Sequence, residues 1–321
     1  MPAPKGWRIY GFAVPRASFQ LRLVLSALLS CTVWAEAADP AKTDALPSAK
    51  ADAPKGPLLK IQCVAALKGL VSDAAPKLTE DGSKLKPVAG GGSLDAYAAL
   101  GAGTADVVLA LRPMSGEERA ACPEKEFYDF ELGKQAIALI VPEILWNRGI
   151  RALTRDQITG IYERRFTNWD ELGGPRRSIE FLNPEPGLGV WEMFASWLYG
   201  DPSRAAAGRF QSVANSEAAA AAVQYNSGGL SLAYLRWANQ KDVFALPIKD
   251  DSGALVEPSL ENIASGKYPL SRSIYLAISG KPLGKRRQVI DLLTGRAGRE
   301  MLLRNDIIPV EDLPGKGAST K

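Results

Sequence analysis

GGGSLDAYAALGAGTADVVLALRPM, residues 90–114, sets the architecture. Lys84 to Ala89 before it is strand-like. Leu94, Tyr97, Ala98 and Leu100 then give an amphipathic run that Gly101 and Gly103 end, and Asp106 to Leu111 reads as a buried strand. The order is strand, glycine-rich turn, helix, strand. Such a turn leaves backbone N–H groups unpaired at a helix N-terminus, where the helix dipole favours negative charge. Ser93 suits the N-cap and has a hydroxyl to offer a ligand. Gly91, Gly92 and Ser93 therefore form one wall of an anion site, or simply a capped helix after a tight turn. Local spacing leaves both open.

The chain has 321 residues, room for two ordinary domains and a sizeable core. Its 39 basic residues nearly match its 35 acidic ones. Four of the basic residues (Lys5, Arg8, Arg16, Arg22) and one acidic residue (Glu36) precede Ala38, so the remainder is almost neutral. That balance offers no nucleic-acid footprint. Histidine is absent, which excludes a Ser-His-Asp or Cys-His centre and any His-ligated metal. Cys31, Cys63 and Cys122 are too few for a four-thiolate zinc site. No metal or other cofactor is expected.

Residues 1–37 read as an export signal: a basic start, an apolar core from Leu23 to Val33, and small-residue cleavage signals around Ala35 and Ala37. Leu28-Leu29-Ser30-Cys31 also resembles a weak lipobox, and lipidation of Cys31 would tether the chain to a membrane. No later stretch is long and apolar enough to span a bilayer. Residues 38–57, rich in Ala, Pro, Lys and Asp, read as a disordered leader, and residues 314–321 as a disordered tail.

Between them strands alternate with helices, which argues an α/β fold with mainly parallel sheets. Strands are expected at Leu58 to Val64, Ala136 to Val141, Ile179 to Leu182, Leu230 to Leu235, Val243 to Ile248 and Ser271 to Ser279. The clearest helix is Leu153 to Tyr162, where Thr154 and Gln157 make a capping box. Trp169 reads as packing, and Trp191, Phe194, Trp197 and Leu198 as the core face of one helix. Cys63 and Cys122 form a disulfide or remain two separate thiols.

Three segments in this order resemble the periplasmic phosphate-binding proteins of ABC transporters: residues 90–115, residues 153–174 (LTRDQITGIYERRFTNWDELGG) and residues 261–278 (ENIASGKYPLSRSIYLAI). With matching order and spacing the resemblance covers about residues 58–313. It implies a two-lobed type 2 periplasmic-binding-protein fold with a central cleft. Lobe one would be 58–138 with 272–313, and lobe two 139–271, joined by crossing strands that act as a hinge. It further implies a periplasmic or secreted protein that captures a small anion, phosphate in the family, or another small solute. An ABC permease or another envelope protein would be the partner.

The family holds phosphate with backbone amides at helix starts, a few hydroxyls, an Arg and in many members an acidic acceptor. Carried over by position, the site residues are Gly91, Gly92, Ser93, Arg112, Gly187 and Gly189. Several contacts are missing. The first loop is Cys63-Val64-Ala65-Ala66, without a hydroxyl. The third, Ala110-Leu111-Arg112-Pro113, keeps its Arg, which would pair with a carboxylate or pack a lobe, but has no acceptor. In the fourth, Pro184, Leu188 and Val190 stand where the family has Arg, Ser and Thr, and Glu185 would repel an anion from the cleft. An unpaired buried oxyanion costs on the order of several kcal/mol. The expectation is thus a solute-binding protein whose ligand is altered or whose phosphate binding is weakened. The alternative is an interaction or structural module that kept the fold and lost the ligand. An enzyme finds no support in nucleophile–base spacing.

Overall fold

A computed structural model describes residues 58–184, 189–204, 207 and 210–314. The expected export signal, leader and nearly all of the tail lie outside the described residues, as do Cys31, Glu185, Gly187 and Leu188.

The first part runs β1 (Leu58–Cys63), a 3-10 turn (Ala65–Leu67), α1 (Lys68–Thr79), β2 (Lys84–Ala89), α2 (Ser93–Gly101), β3 (Val107–Ala110), α3 (Gly116–Ala120) and β4 (Phe127–Pro142). The middle contains α4 (Glu143–Asn147), β5 (Leu153–Thr154), α5 (Arg155–Tyr162), β6 (Glu180–Pro184), α6 (Gly189–Tyr199), β7 (Gln211–Val213), α7 (Ser216–Gln224) and β8 (Gly229–Tyr234). It continues through α8 (Leu235–Ala238), β9 (Val243–Ala245), β10 (Ile248–Lys249), β11 (Leu255–Val256) and α9 (Leu260–Ala264). The chain returns through β12 (Ser271–Ser279), α10 (Gly284–Thr294), α11 (Arg296–Arg304) and β13 (Ile308–Pro309).

The main sheet has the order β2-β1-β3-β12-β4-β8-β6-β7, with β13 and β9 also on β4. Among the described residues five strand pairs are parallel and six antiparallel. Parallel pairing holds where βαβ units wind, at β2-β1-β3 and β8-β6-β7. It gives way at β4 and β12, which run against their neighbours because one chain leaves the first group of strands and the other returns to it. The expected strand at Ala136 to Val141 is only the buried end of β4. The half-exposed run Phe127 to Gln135 alternates too weakly to announce a strand, but pairs with β12 from Phe127–Ser279 to Ala136–Ser271, with one bulge beside Leu132. From Ile137 onward β4 pairs with β8 and β9 instead.

Each end of β4 has its own apolar core. Leu59, Ile61, Leu70, Leu109, Leu276 and Met301 bury together at one end. Ile158, Tyr162, Trp169, Trp191, Phe194 and Leu232 do so at the other. The capping box of α5 is present: Gln157 N–H donates to Thr154 Oγ1 at 3.1 Å, and Thr154 N–H to Gln157 Oε1 at 2.9 Å. Trp169 is fully buried and donates its indole N–H to the Gly228 carbonyl at 3.0 Å, which makes it a packing residue. Cys63 and Cys122 are separate free thiols, Cys63 buried in β1. No helix among the described residues is long and apolar enough to cross a membrane.

At Gly133 the chain of β13 lies so close that an added Cβ would overlap the Ile308 carbonyl. Gly133→Ala is expected to cost about 2 kcal/mol of stability as backbone is forced apart. Urea denaturation measures this, and an unchanged midpoint would contradict the close approach.

Candidate functional site

Several segments meet at a cleft of about 620 Å³. Val64, Ala65 and Ala66 come from the turn after β1, Gly91 and Gly92 from the loop after β2, and Leu111 from the end of β3. The opposing wall is α6, with Arg272 and Ser271 of β12 beside it.

The glycine-rich loop is built as its sequence demands. Gly91 has φ +68°, a left-handed value that favours glycine, and an added Cβ would strike the Asp95 carboxylate. That carboxylate accepts the Gly92 N–H at 2.8 Å. Gly92, not Ser93, is the N-cap of α2. Ser93 is the first helical residue, and its Oγ accepts the Leu111 N–H at 3.0 Å, tying α2 to β3. Asp95 thus takes one of the amides that an anion would need, and sets a negative charge at the helix start.

Arg112 has the packing role. Its guanidinium donates to both Glu118 oxygens at 2.8 and 2.7 Å and lies 5.4 Å from the Tyr97 ring centroid. Tyr97 O–H in turn donates to the Arg112 carbonyl at 2.6 Å. Arg112 does not line the cleft.

The cation of the cleft is Arg272. It is the register partner of Gln135 across the β12–β4 ladder, and its Nε and Nη2 donate to Gln135 Oε1 at 3.1 and 2.8 Å. Gln135 Nε2 donates onward to the Asn305 carbonyl at 3.2 Å. Arg272 has no carboxylate within ion-pair distance among the described residues. Burial lowers its pKa from the ordinary value, opposed by the nearby Tyr234 and Glu192. Burial likewise raises the Tyr234 phenol. A guanidinium keeps its charge under such a shift.

Along α6, Glu192, Met193, Ser196 and Trp197 face the cleft, and Gly189 starts the same stripe. The intervals from Gly189 are three, four, seven and eight residues, one helical face. Trp191, Phe194 and Leu198 are buried as expected, but Trp197 is only half-buried and lines the cleft. At the inner end a Cβ on Gly189 would come within 3.6 Å of both Ala66 Cβ and Arg272 Nη2, and 3.0 Å of the Tyr234 hydroxyl oxygen. The start of α6 therefore sits against the turn after β1.

Of the sequence-derived candidates, the structure brings Gly91 and Gly92 to the cleft, sets Gly189 against Ala66 and Arg272 at its inner end, holds Ser93 just behind it, and turns Arg112 elsewhere. Sequence reasoning missed Arg272 and Glu192. The signal was a charged residue inside the apolar strand SRSIYLAIS. No group of three or more metal-ligating side chains occurs among the described residues.

A two-lobed α/β scaffold with loops converging on a cleft defines a type 2 periplasmic binding protein. The family model described as the PBP superfamily domain matches residues 40–295, and the chain belongs to that family. The phosphate-binding protein PstS of Bacillus subtilis is 24% identical over 296 residues, covering 91% of this chain and 94% of its own length. PstS of Staphylococcus epidermidis is 25% identical over 188 residues, so the chain spans 56% of that relative's length. Among solved structures, a possible phosphate binding protein from Planctomyces limnophilus superposes with a TM-score of 0.70 at 20% identity, covering 81% of this chain and 94% of that one. An ABC-type phosphate transport receptor from Vibrio cholerae does so at 0.59 and 20% identity, covering 78% and 99%. At family level the chain resembles the phosphate-binding proteins of ABC transporters.

The Arg112 hydrogen bonds hold the Glu118 carboxyl down to about 2 from an ordinary 4.5, helped by Ser115. A carboxyl lowered on folding adds stability at neutral pH that is lost as pH falls toward its folded pKa. Arg112 is 41% exposed, so solvent screening limits the pair to about 1 kcal/mol. Arg112→Met is expected to lose that amount at pH 7, and the gap from the parent should close between about pH 5 and pH 2. Urea titrations across that range measure it. A gap independent of pH would sink the assignment.

Proposed function

We propose that this protein is a periplasmic or secreted solute receptor that captures a small molecule by closing two lobes around the cleft, without covalent chemistry. One observation carries the reading: a full face of α6 lies across the cleft from three loop ends, with the positive charge of Arg272 held at the junction. The accompanying division of the chain is 58–138 with 272–313 for one lobe and 139–271 for the other. Apolar clusters drawn mostly from one or the other range support it. The joint would be β4 with the stretch entering β12, which pass between those clusters. The PstS relatives are named for phosphate binding, and an ABC permease is the partner that goes with this class.

The ligand is not expected to be phosphate at high affinity. The turn after β1 offers no hydroxyl, the Gly92 amide already serves Asp95, Arg112 serves Glu118, and Ala66 stands against the start of α6. A ligand bound at 100 times its Kd adds about 2.7 kcal/mol of stability. For a chain of this size that is a Tm rise of several degrees, at about 2–4 °C per kcal/mol. Millimolar phosphate is expected to raise Tm by less than about 2 °C, and some member of a broad panel of small solutes by more than about 5 °C. Arg272→Met should abolish the larger shift while leaving the circular dichroism spectrum unchanged. A panel that produces no shift at all would defeat the receptor reading in favour of a ligand-free interaction module.

A further inference from the structure

We infer that the captured solute is an organic zwitterion with an apolar body, its anionic group on Arg272 and its cationic group on Glu192; this rests on the receptor reading above. Three features of the cleft converge on this class.

The first is charge. Among the described lining residues the charged ones are Arg272 and Glu192, one of each sign. Arg272 is held by neutral groups, the Gln135 oxygen and the Tyr234 hydroxyl, and by no carboxylate among the described residues. Glu192, in the first turn of α6, makes no hydrogen bond or ion pair among the described residues. The two act on each other through space without forming an ion pair. A purely anionic solute would satisfy Arg272 and be repelled by Glu192, and a purely cationic one would meet the reverse. A zwitterion satisfies both, and desolvated charges need such partners.

The second is length. Trp197 lies eight residues beyond Gly189 along the helix, a wall of about 12 Å at 1.5 Å per residue. A tetrahedral inorganic anion would touch only a fraction of it. The cleft volume, about 620 Å³, is that of sites for organic ligands.

The third is surface. Val64, Leu111, Met193 and Trp197 line the cleft from both sides. They give an apolar body a place to lie, with Ser196 and Ser271 as short polar contacts.

Calorimetric titration of the full-length protein tests the assignment with L-leucine, L-methionine and L-phenylalanine. 4-Methylpentanoate lacks the ammonium group, 3-methylbutylamine lacks the carboxylate, and inorganic phosphate lacks the apolar body. At least one amino acid should bind 30-fold or more tighter than any of the other three. Glu192→Gln should weaken that amino acid at least tenfold and leave 4-methylpentanoate unchanged or improved. Arg272→Met should remove amino-acid binding. Equal binding of leucine and 4-methylpentanoate, or phosphate binding tighter than every amino acid, would overturn the zwitterion and leave solute capture standing. Silence from all three amino acids while the broad panel finds another solute would do the same. Silence from every compound in both experiments would remove the receptor reading as well.

Discussion

The antiparallel pairing of β4 with β12 is the constraint on which the rest of the molecule depends. β4 is long enough to belong to two groups of strands, pairing with β12 in its first part and with β8 and β9 in its last. Along its length β4 gives Leu132 to one apolar core and Ala136, Ile137, Leu139 and Val141 to another. The same ladder sets the charge of the cleft. Arg272 and Gln135 face each other across it, and opposed residues in an antiparallel pair project to the same face. The guanidinium is therefore placed by backbone register, with Gln135 and the Asn305 carbonyl behind it, and not by a mobile loop.

The two arginines considered for the site show how context divides one residue type. Arg112 follows the short strand β3 and finds a carboxylate and an aromatic ring within its own neighbourhood. Its charge is spent on packing α3 beneath Tyr97, and solvent reaches it. Arg272 sits at the seam between the cores, where the chain supplies a neutral amide oxygen in place of a carboxylate. A cation held by a neutral acceptor keeps most of its field for something else.

Local rules made the outer fold legible. The glycine turn at Gly91, the capping box at Thr154 and Gln157, and the apolar runs of β1, β3 and β8 all declare themselves within about ten residues of sequence. What was not legible depends on distant partners. Phe127 to Gln135 is a strand only because β12 lies alongside it, more than a hundred residues later. Ser93 suits a cap by composition, yet Asp95 reaches back to Gly92 and Ser93 serves Leu111 instead. Within the site, Gly91, Gly92 and Gly189 were readable because backbone shape demands glycine there. Arg272 and Glu192 were not, since neither their shared place in the cleft lining nor the neutrality of Gln135 has a local signature.

The apolar character of the loops does not by itself make the cleft inert. If Ala66, Leu111, Met193 and Trp197 were all that lined it, the simplest outcome would be collapse of one wall onto the other. At the inner end Ala66 stands against the start of α6. Beyond that point the lining carries two opposite charges, Arg272 held by neutral groups and Glu192 without an ion pair among the described residues. Burial of the Arg272 guanidinium costs free energy that its neutral partners only partly offset. A molecule carrying both complementary charges offsets that cost when it binds. That pair of charges then becomes preference for one chemical class over another, which is how a receptor with few hydroxyls can still discriminate.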